Sequence, residues 1–342
     1  MQGKYLGYLL VWIASISIGI SSSVYAITFD KIIVFGDSLS DNGNVFSFTS
    51  AAHKAVPSIP IIPKEPPYYQ GHFSNGQTWI ENLAQVSNVP LDDYAYGGAW
   101  AESVFDSKQL FPFGLGMQVN VYLMQAPHDY NRSKHLYVIW VGSNDYIHGR
   151  SDVEYATSNT IATIKSQIDL LMYYGAKKIL LLNLPDLSVT PDAIQKGAAF
   201  AEAIGKLTQL HNDKFIKMIA NLKKEYPSSK FFLLNIADYF NEMMTHPDEF
   251  RLKNIKDACY NENYYSQAND LNREEIQAAE QAPIDIRHNV SLRIAYLTSR
   301  SISLRQQPCS NPDEYLFWDP IHPTRVIHQL LMGYAINLLD HS

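Results

Sequence analysis

Four stretches of the chain are apolar without alternation: KIIVF (31–35), HLYVIWVG (135–142), KKILLLNLP (177–185) and KFFLLNIAD (230–238). A strand with one wet face alternates apolar and polar residues. An unbroken Val/Ile/Leu run fits a strand covered on both faces, as in a parallel sheet. Segments of helical period lie between these runs. Ile161, Ile164, Ile168, Leu171 and Met172 recur along 159–176, which closes on Gly175, and 197–225 and 325–339 read as two further helices. Strands alternating with helices predict an α/β fold, a parallel sheet with helices on both faces. Ligands of such sheets bind at the carboxyl ends of the strands. Three polar turns fall at that edge: Gly36-Asp37-Ser38, Gly142-Ser143-Asn144 and Pro185-Asp186.

Two segments break the alternation. Residues 57–79 are rich in Pro, Gly and aromatics, while 260–308 contain no Gly and only two prolines. Both read as surface excursions that shape or cover a site, and the first is expected to offer apolar contact to what binds there. Residues 1–26 read as a secretory signal peptide: Lys4, an apolar run over 5–20, then small residues with Val24 and Ala26 at the −3 and −1 positions of a cleavage site. The run is short for a bilayer span of about 20 residues. A single exported domain, 27–342, is therefore expected, periplasmic or extracellular.

Export changes how Cys259 and Cys309, the only cysteines, are read. Two cysteines in an oxidising compartment favour one disulfide, and closing a loop of this size stabilises by roughly 4 kcal/mol in the chain-entropy model. Residues 260–308 then form an insert bounded by the bridge. The formal net charge is -7, with no basic patch of the kind that neutralises phosphates, which excludes nucleic acid as a partner. No Cys/His cluster has zinc spacing, and the serine chemistry argued next requires neither metal nor organic cofactor.

The chemistry converges on VFGDSLSDNGN (34–44). Ser38 sits where a buried strand turns into a polar, Gly-flanked segment that leads to a helix. A serine nucleophile needs a base, a group to orient the base, and donors for the oxyanion. Among eleven histidines the best base is His322 in WDPIHPTR, with Asp319 three residues before it on a Pro-punctuated loop. A carboxylate at that spacing can fix the imidazole tautomer. His128-Asp129 and His246-Pro247-Asp248 are rival pairs. The candidate donors are the Ser38 N–H, Gly98 in YAYGGAWA, and Asn144 in VGSNDY.

FGDSLSDNGN, YAYGGAWAE, WVGSNDY and DPIHPT, in that order, resemble the four blocks of the SGNH or GDSL hydrolase family, spread from residue 35 to 324. HFSNGQTWIENLA and NLPDLSVTP resemble its secreted lipases. Within the family the chain looks most like the exported bacterial lysophospholipase A and glycerophospholipid:cholesterol acyltransferase group. The resemblance implies a flavodoxin-like three-layer sandwich with five parallel strands. It implies Ser38 as nucleophile, His322 as base, Asp319 as orienter, and Ser38, Gly98 and Asn144 as the oxyanion hole. The implied substrates are phospholipids or lysophospholipids met at a membrane surface, with a sterol as an alternative acyl acceptor. One departure is Asp93, where the second block usually has asparagine; Asp93 reads as supporting structure. The motifs do not separate lipid hydrolysis from a carbohydrate or short-chain acyl esterase, and an exported binding protein with a dead site is the remote alternative. Residues 260–308, bearing five arginines, are expected either as an ordinary excursion or as a cover removed by an activating protease.

Overall fold

The computed structural model describes residues 28–101, 114–147, 149–260, 277–278, 286, 289–303 and 307–342. The expected leader and most of 260–308 lie outside the described residues. Five strands form one parallel sheet: β1 (Ile32–Gly36), β2 (Leu91–Asp93), β3 (Leu136–Trp140), β4 (Lys178–Leu182) and β5 (Lys230–Leu234), in the order β2-β1-β3-β4-β5. Each of the four apolar runs supplies a strand. β2 was not legible, because it has three residues, two of them aspartates, and only half-buried positions. The doubly wound order reverses direction between β1 and β3, which places a crevice beyond their carboxyl ends.

Both faces of the sheet are covered, which explains the unbroken apolar runs. Ile32, Val34, Leu136, Val138 and Trp140 face one core; Ile33, Phe35, Tyr137, Ile139 and Val141 face the other. The second core is closed by α3 (Leu115–Gln125), α4 (Val153–Tyr173) and α6 (Ala198–Glu225). The α4 side chains Ile161, Ile164, Ile168, Leu171 and Met172, picked out by their spacing, are all buried there. Each fully buried aliphatic of this kind contributes about 1.5–3 kcal/mol relative to exposure. The first core is closed mainly by α2 (Trp79–Ser87), α7 (Ile236–Thr245) and α9 (Arg325–Asp340), with α2 and α9 packed on each other. The remaining helices are α1 (Asn44–Ala55), the short α5 (Pro191–Gln195) and α8 (Val290–Ser303), the last of which belongs to the insert. The three-layer sandwich is thus the observed fold.

A second, two-stranded parallel sheet pairs β6 (Asn254–Ala258) with β7 (Tyr315–Phe317). The Cys259–Cys309 disulfide is present and sits beside it, Cα atoms 5.0 Å apart. The chain around the bridge supports the loop after β7: Cys259 N–H donates to Phe317 O at 2.9 Å and Tyr260 N–H to Trp318 O at 2.8 Å. No helix among the described residues is long and apolar enough to cross a membrane.

Candidate active site

β1 ends at Gly36 because nothing larger fits: a Cβ there would lie 2.7 Å from the Trp140 carbonyl of β3. The chain then turns. Asp37 accepts Leu39 N–H on its side chain at 3.1 Å, and its carbonyl accepts the N–H groups of Ser40 and Asp41. The expected helix begins later than a direct strand-to-helix turn would place it, at Asn44, so Ser38 stands on the turn itself. The turn is buried: Asp37 is 1% exposed and Ser38 5%. Burial pushes the Asp37 carboxyl up to about 7, against the Leu39 bond, which pulls it down.

Asp41, in the same turn, ties the first block to the second. It accepts Gly43 and Asn44 N–H on Oδ1, and Val45 and Gly97 N–H on Oδ2, the last at 2.7 Å. Burial lifts this carboxyl to about 6 while its four backbone donors oppose the rise. Asn44 adds two bonds, from Nδ2 to the carbonyls of Asp93 and Ala95. Asp93 holds Ala95 N–H at 2.8 Å; burial and then the nearby Asp41 charge raise it well above the usual carboxylate range.

The loop after β7 delivers Asp319 and His322. A bridge between Phe317 and Pro323 closes its neck, with Trp318 N–H donating to His322 O at 2.7 Å. Asp319 Oδ1 accepts the N–H groups of Ile321 (2.9 Å) and His322 (2.8 Å), so one carboxylate oxygen shapes the turn. The other, Oδ2, meets His322 Nδ1 at 2.6 Å. A carboxylate only accepts, so Nδ1 carries a proton, and in the neutral imidazole Nε2 is then the acceptor. His322 Nε2 therefore accepts the Ser38 Oγ proton across 2.9 Å. The structure brings together residues 284 positions apart, in the order serine, imidazole, carboxylate. All three are buried.

Asn144 lines the same cavity as Ser38 and His322, and its amide holds the carbonyl of Ala99, the residue after Gly98. Gly98 has φ +78, a left-handed backbone that glycine adopts without a Cβ penalty. The N–H groups of Ser38 and Gly98 find no acceptor among the described residues. Asn144 Nδ2 donates one proton to Ala99 O at 2.9 Å, which leaves its second N–H. Three donors of this kind, near a developing negative charge, are what acyl transfer requires. The rival histidines His128 and His246 are exposed, and neither lines the cavity at Ser38.

A cavity of about 40 Å³ lies at Ser38, Asn144 and His322 and is walled mainly by Ile147, Leu187, Val189, Phe240, Phe317 and Ile321. None of its lining comes from 57–79, so the expectation of apolar ligand contact there is corrected. Ile62, Tyr68, Phe73 and Trp79 turn inward and are at most 1% exposed. They brace the site from behind. Tyr68 Oη donates to Asp319 Oδ2 at 2.6 Å, the Phe73 ring lies 5.2 Å from the His322 ring, and Ser74 Oγ donates to Pro323 O at 2.9 Å. Sequence reading missed Tyr68: nothing in its spacing marks a partner 251 positions away. It also missed Asn289 and Ser291, which reach Gly98 O and Asn144 Oδ1 at 2.8 Å each. Asp41, by contrast, lay within the quoted first block. No group of three or more His, Cys, Asp or Glu among the described residues is placed to hold a metal ion.

Residues 32–333 match the family described as GDSL-like Lipase/Acylhydrolase, and the chain belongs to that family. It is 28% identical over 329 residues to a phosphatidylcholine-sterol acyltransferase of Aeromonas hydrophila, covering 91% of this chain and 90% of the relative. It is 27% identical over 317 residues to a thermolabile hemolysin of Vibrio parahaemolyticus, covering 92% of this chain and 64% of that one. A crystal structure from Veillonella parvula, a member of the lipolytic protein G-D-S-L family, resembles 63% of this chain and 82% of its own, with TM-score 0.38 and 12% identity.

Proposed function

We propose that this member of the GDSL-like lipase/acylhydrolase family is an exported serine hydrolase that cleaves carboxylic esters of phospholipids and lysophospholipids through an acyl-enzyme. The observation that carries the reading is the run of short contacts from Ser38 through His322 to Asp319, at 2.9 and 2.6 Å, opening on an apolar cavity. In this reading His322 Nε2 takes the Ser38 proton as Oγ attacks the ester carbonyl. Asp319, held by four hydrogen bonds including that to His322, keeps the proton on Nδ1 and balances the imidazolium that forms. The oxyanion settles against Ser38 N–H, Gly98 N–H and the second Asn144 N–H. His322 then returns the proton to the leaving alcohol, and water resolves the acyl-enzyme by the same steps in reverse. A sterol hydroxyl entering in place of water makes the same chemistry an acyl transfer.

The apolar cavity walls and the sequence likeness to a phosphatidylcholine-sterol acyltransferase favour lipid acyl groups over acetyl groups on sugars. The disulfide and the leader-like first 26 residues favour a periplasmic or extracellular site of action. The test is acid release from lysophosphatidylcholine, phosphatidylcholine, a short p-nitrophenyl ester and an acetylated sugar, beside Ser38→Ala and His322→Ala. Each variant is expected to lose at least about 10⁴-fold in kcat, and the pair to lose no more than one alone, because they act as a unit. Release from the sugar alone replaces the substrate and keeps the mechanism. Ser38→Ala at wild-type rate ends the mechanism.

A further inference from the structure

Resting on the serine-ester reading above, we infer that Asn289 and Ser291, at the start of α8, are positioning residues for the oxyanion site, holding Gly98 and Asn144 in place. Both belong to the segment between the cysteines, which the sequence alone marks only as an excursion or a cover. The turn 289–291 is instead built into the site.

The argument for Ser291 follows from which atoms can donate. The Ala99 carbonyl only accepts, so the Asn144 amide nitrogen must face it, as it does at 2.9 Å. That fixes the amide against a flip and leaves Oδ1 toward Ser291 Oγ at 2.8 Å. Oδ1 only accepts, so Ser291 donates. The serine is 2% exposed and lines the cavity beside Ser38 and His322. Drawing charge onto Oδ1 also polarises the amide and makes the remaining Nδ2–H a stronger donor.

The argument for Asn289 follows from the looseness of what it grips. Gly97 and Gly98 are adjacent, and two glycines give the backbone its widest freedom, while oxyanion donors act only when held still. Three contacts remove that freedom. Gly97 N–H is held by Asp41 Oδ2 at 2.7 Å. The Gly98–Ala99 peptide is held at both ends, its N–H by Tyr96 O at 3.0 Å and its carbonyl by Asn289 Nδ2 at 2.8 Å. The peptide that carries the Gly98 N–H is thus flanked by two fixed ones. Asn289 uses its other atom locally: Oδ1 accepts Leu292 N–H at 3.1 Å and caps α8.

A plain capping or packing role makes different predictions from a positioning role. Asn289→Asp keeps an excellent cap and loses the donor to Gly98 O. Ser291→Ala removes only the hydroxyl. The full chain would be assayed on a soluble p-nitrophenyl ester, with melting temperature and the end-point fraction of chains labelled at Ser38 by a fluorophosphonate as controls. Each variant is expected to lose about 10- to 100-fold in kcat, less than the ~10²–10³ lost with a whole oxyanion donor, with KM within about twofold and full labelling. In an Asn144→Ala background, Ser291→Ala is expected to cost nothing further, since it acts through that amide. Wild-type kcat in both variants, a kcat loss matched by a smaller labelled fraction, or an undiminished Ser291→Ala effect in the Asn144→Ala background overturns the positioning role. If Ser38→Ala itself retains turnover, the serine reading fails instead, and that outcome is separately visible.

Discussion

Replacing Tyr68 by Phe removes a single hydroxyl from a site otherwise hard to dissect. The ring stays, so no cavity opens around the buried aromatic; only the hydroxyl that meets Asp319 Oδ2 at 2.6 Å is lost. Tyr68 is 1% exposed and Asp319 0%, so water does not replace the donor. A hydrogen bond to a charged group contributes about 1.5–3 kcal/mol net. The lower half of that range applies, because Oδ2 keeps His322 and Oδ1 keeps two backbone N–H groups, so the carboxylate is thinned of donors without being orphaned. Tyr68→Phe should therefore lower the unfolding free energy by about 1.5–2 kcal/mol, read as a shift of the urea midpoint at unchanged slope. Turnover should fall by less than about tenfold, because the contacts between His322 and its two partners persist. A midpoint unmoved within error would show that the bond carries no net stability. A loss of turnover as deep as that of Ser38→Ala would show that the hydroxyl takes part in the chemistry, and either result refutes the reasoning.

Gly98→Ala places a methyl 2.3 Å from Asn289 Nδ2 at φ +78; the amide end can swing away, so the cost is about 1–2 kcal/mol of backbone strain plus the lost grip, and kcat should drop about 10²-fold on the p-nitrophenyl ester, whereas a kcat within twofold of wild type would contradict this. Asp37 titrates near 7 when folded and near 4 when unfolded, so the native state holds more protons between these values and the stability tied to this group declines as pH rises from about 4 to 7. Asp37→Asn keeps an oxygen for Leu39 N–H and should flatten that part of the decline; an unchanged slope of unfolding free energy against pH would sink the assignment.

What could be read from the sequence divides along physical lines. β1, β3, β4 and β5 were legible because burial on both faces writes itself into every position. β2 was not, since a three-residue edge strand of Leu-Asp-Asp carries no such record. Ser38, Asp319 and His322 were legible because local turn chemistry constrains them: Asp319 and His322 share a turn, and Ser38 sits on the turn after β1. Tyr68, Asn289 and Ser291 act over 251, 191 and 147 positions, and a contact made only by tertiary packing leaves no local pattern. The same limit explains the misreading of 57–79. Its aromatics fit either a lipid or a core, and only the fold shows that they face inward behind His322.

The 284 positions between Ser38 and His322 set an order in time. At about 5–20 residues per second, synthesis leaves a serine without its base for tens of seconds. Through that interval the chain carries a nucleophile that nothing deprotonates, and the loop after β7 has neither been made nor braced by Tyr260 and Cys259. An enzyme of the proposed activity would attack the membrane of the cell that makes it. With the serine and the proposed base drawn from distant stretches of the gene, that proposed chemistry is withheld from every chain that ends short of His322.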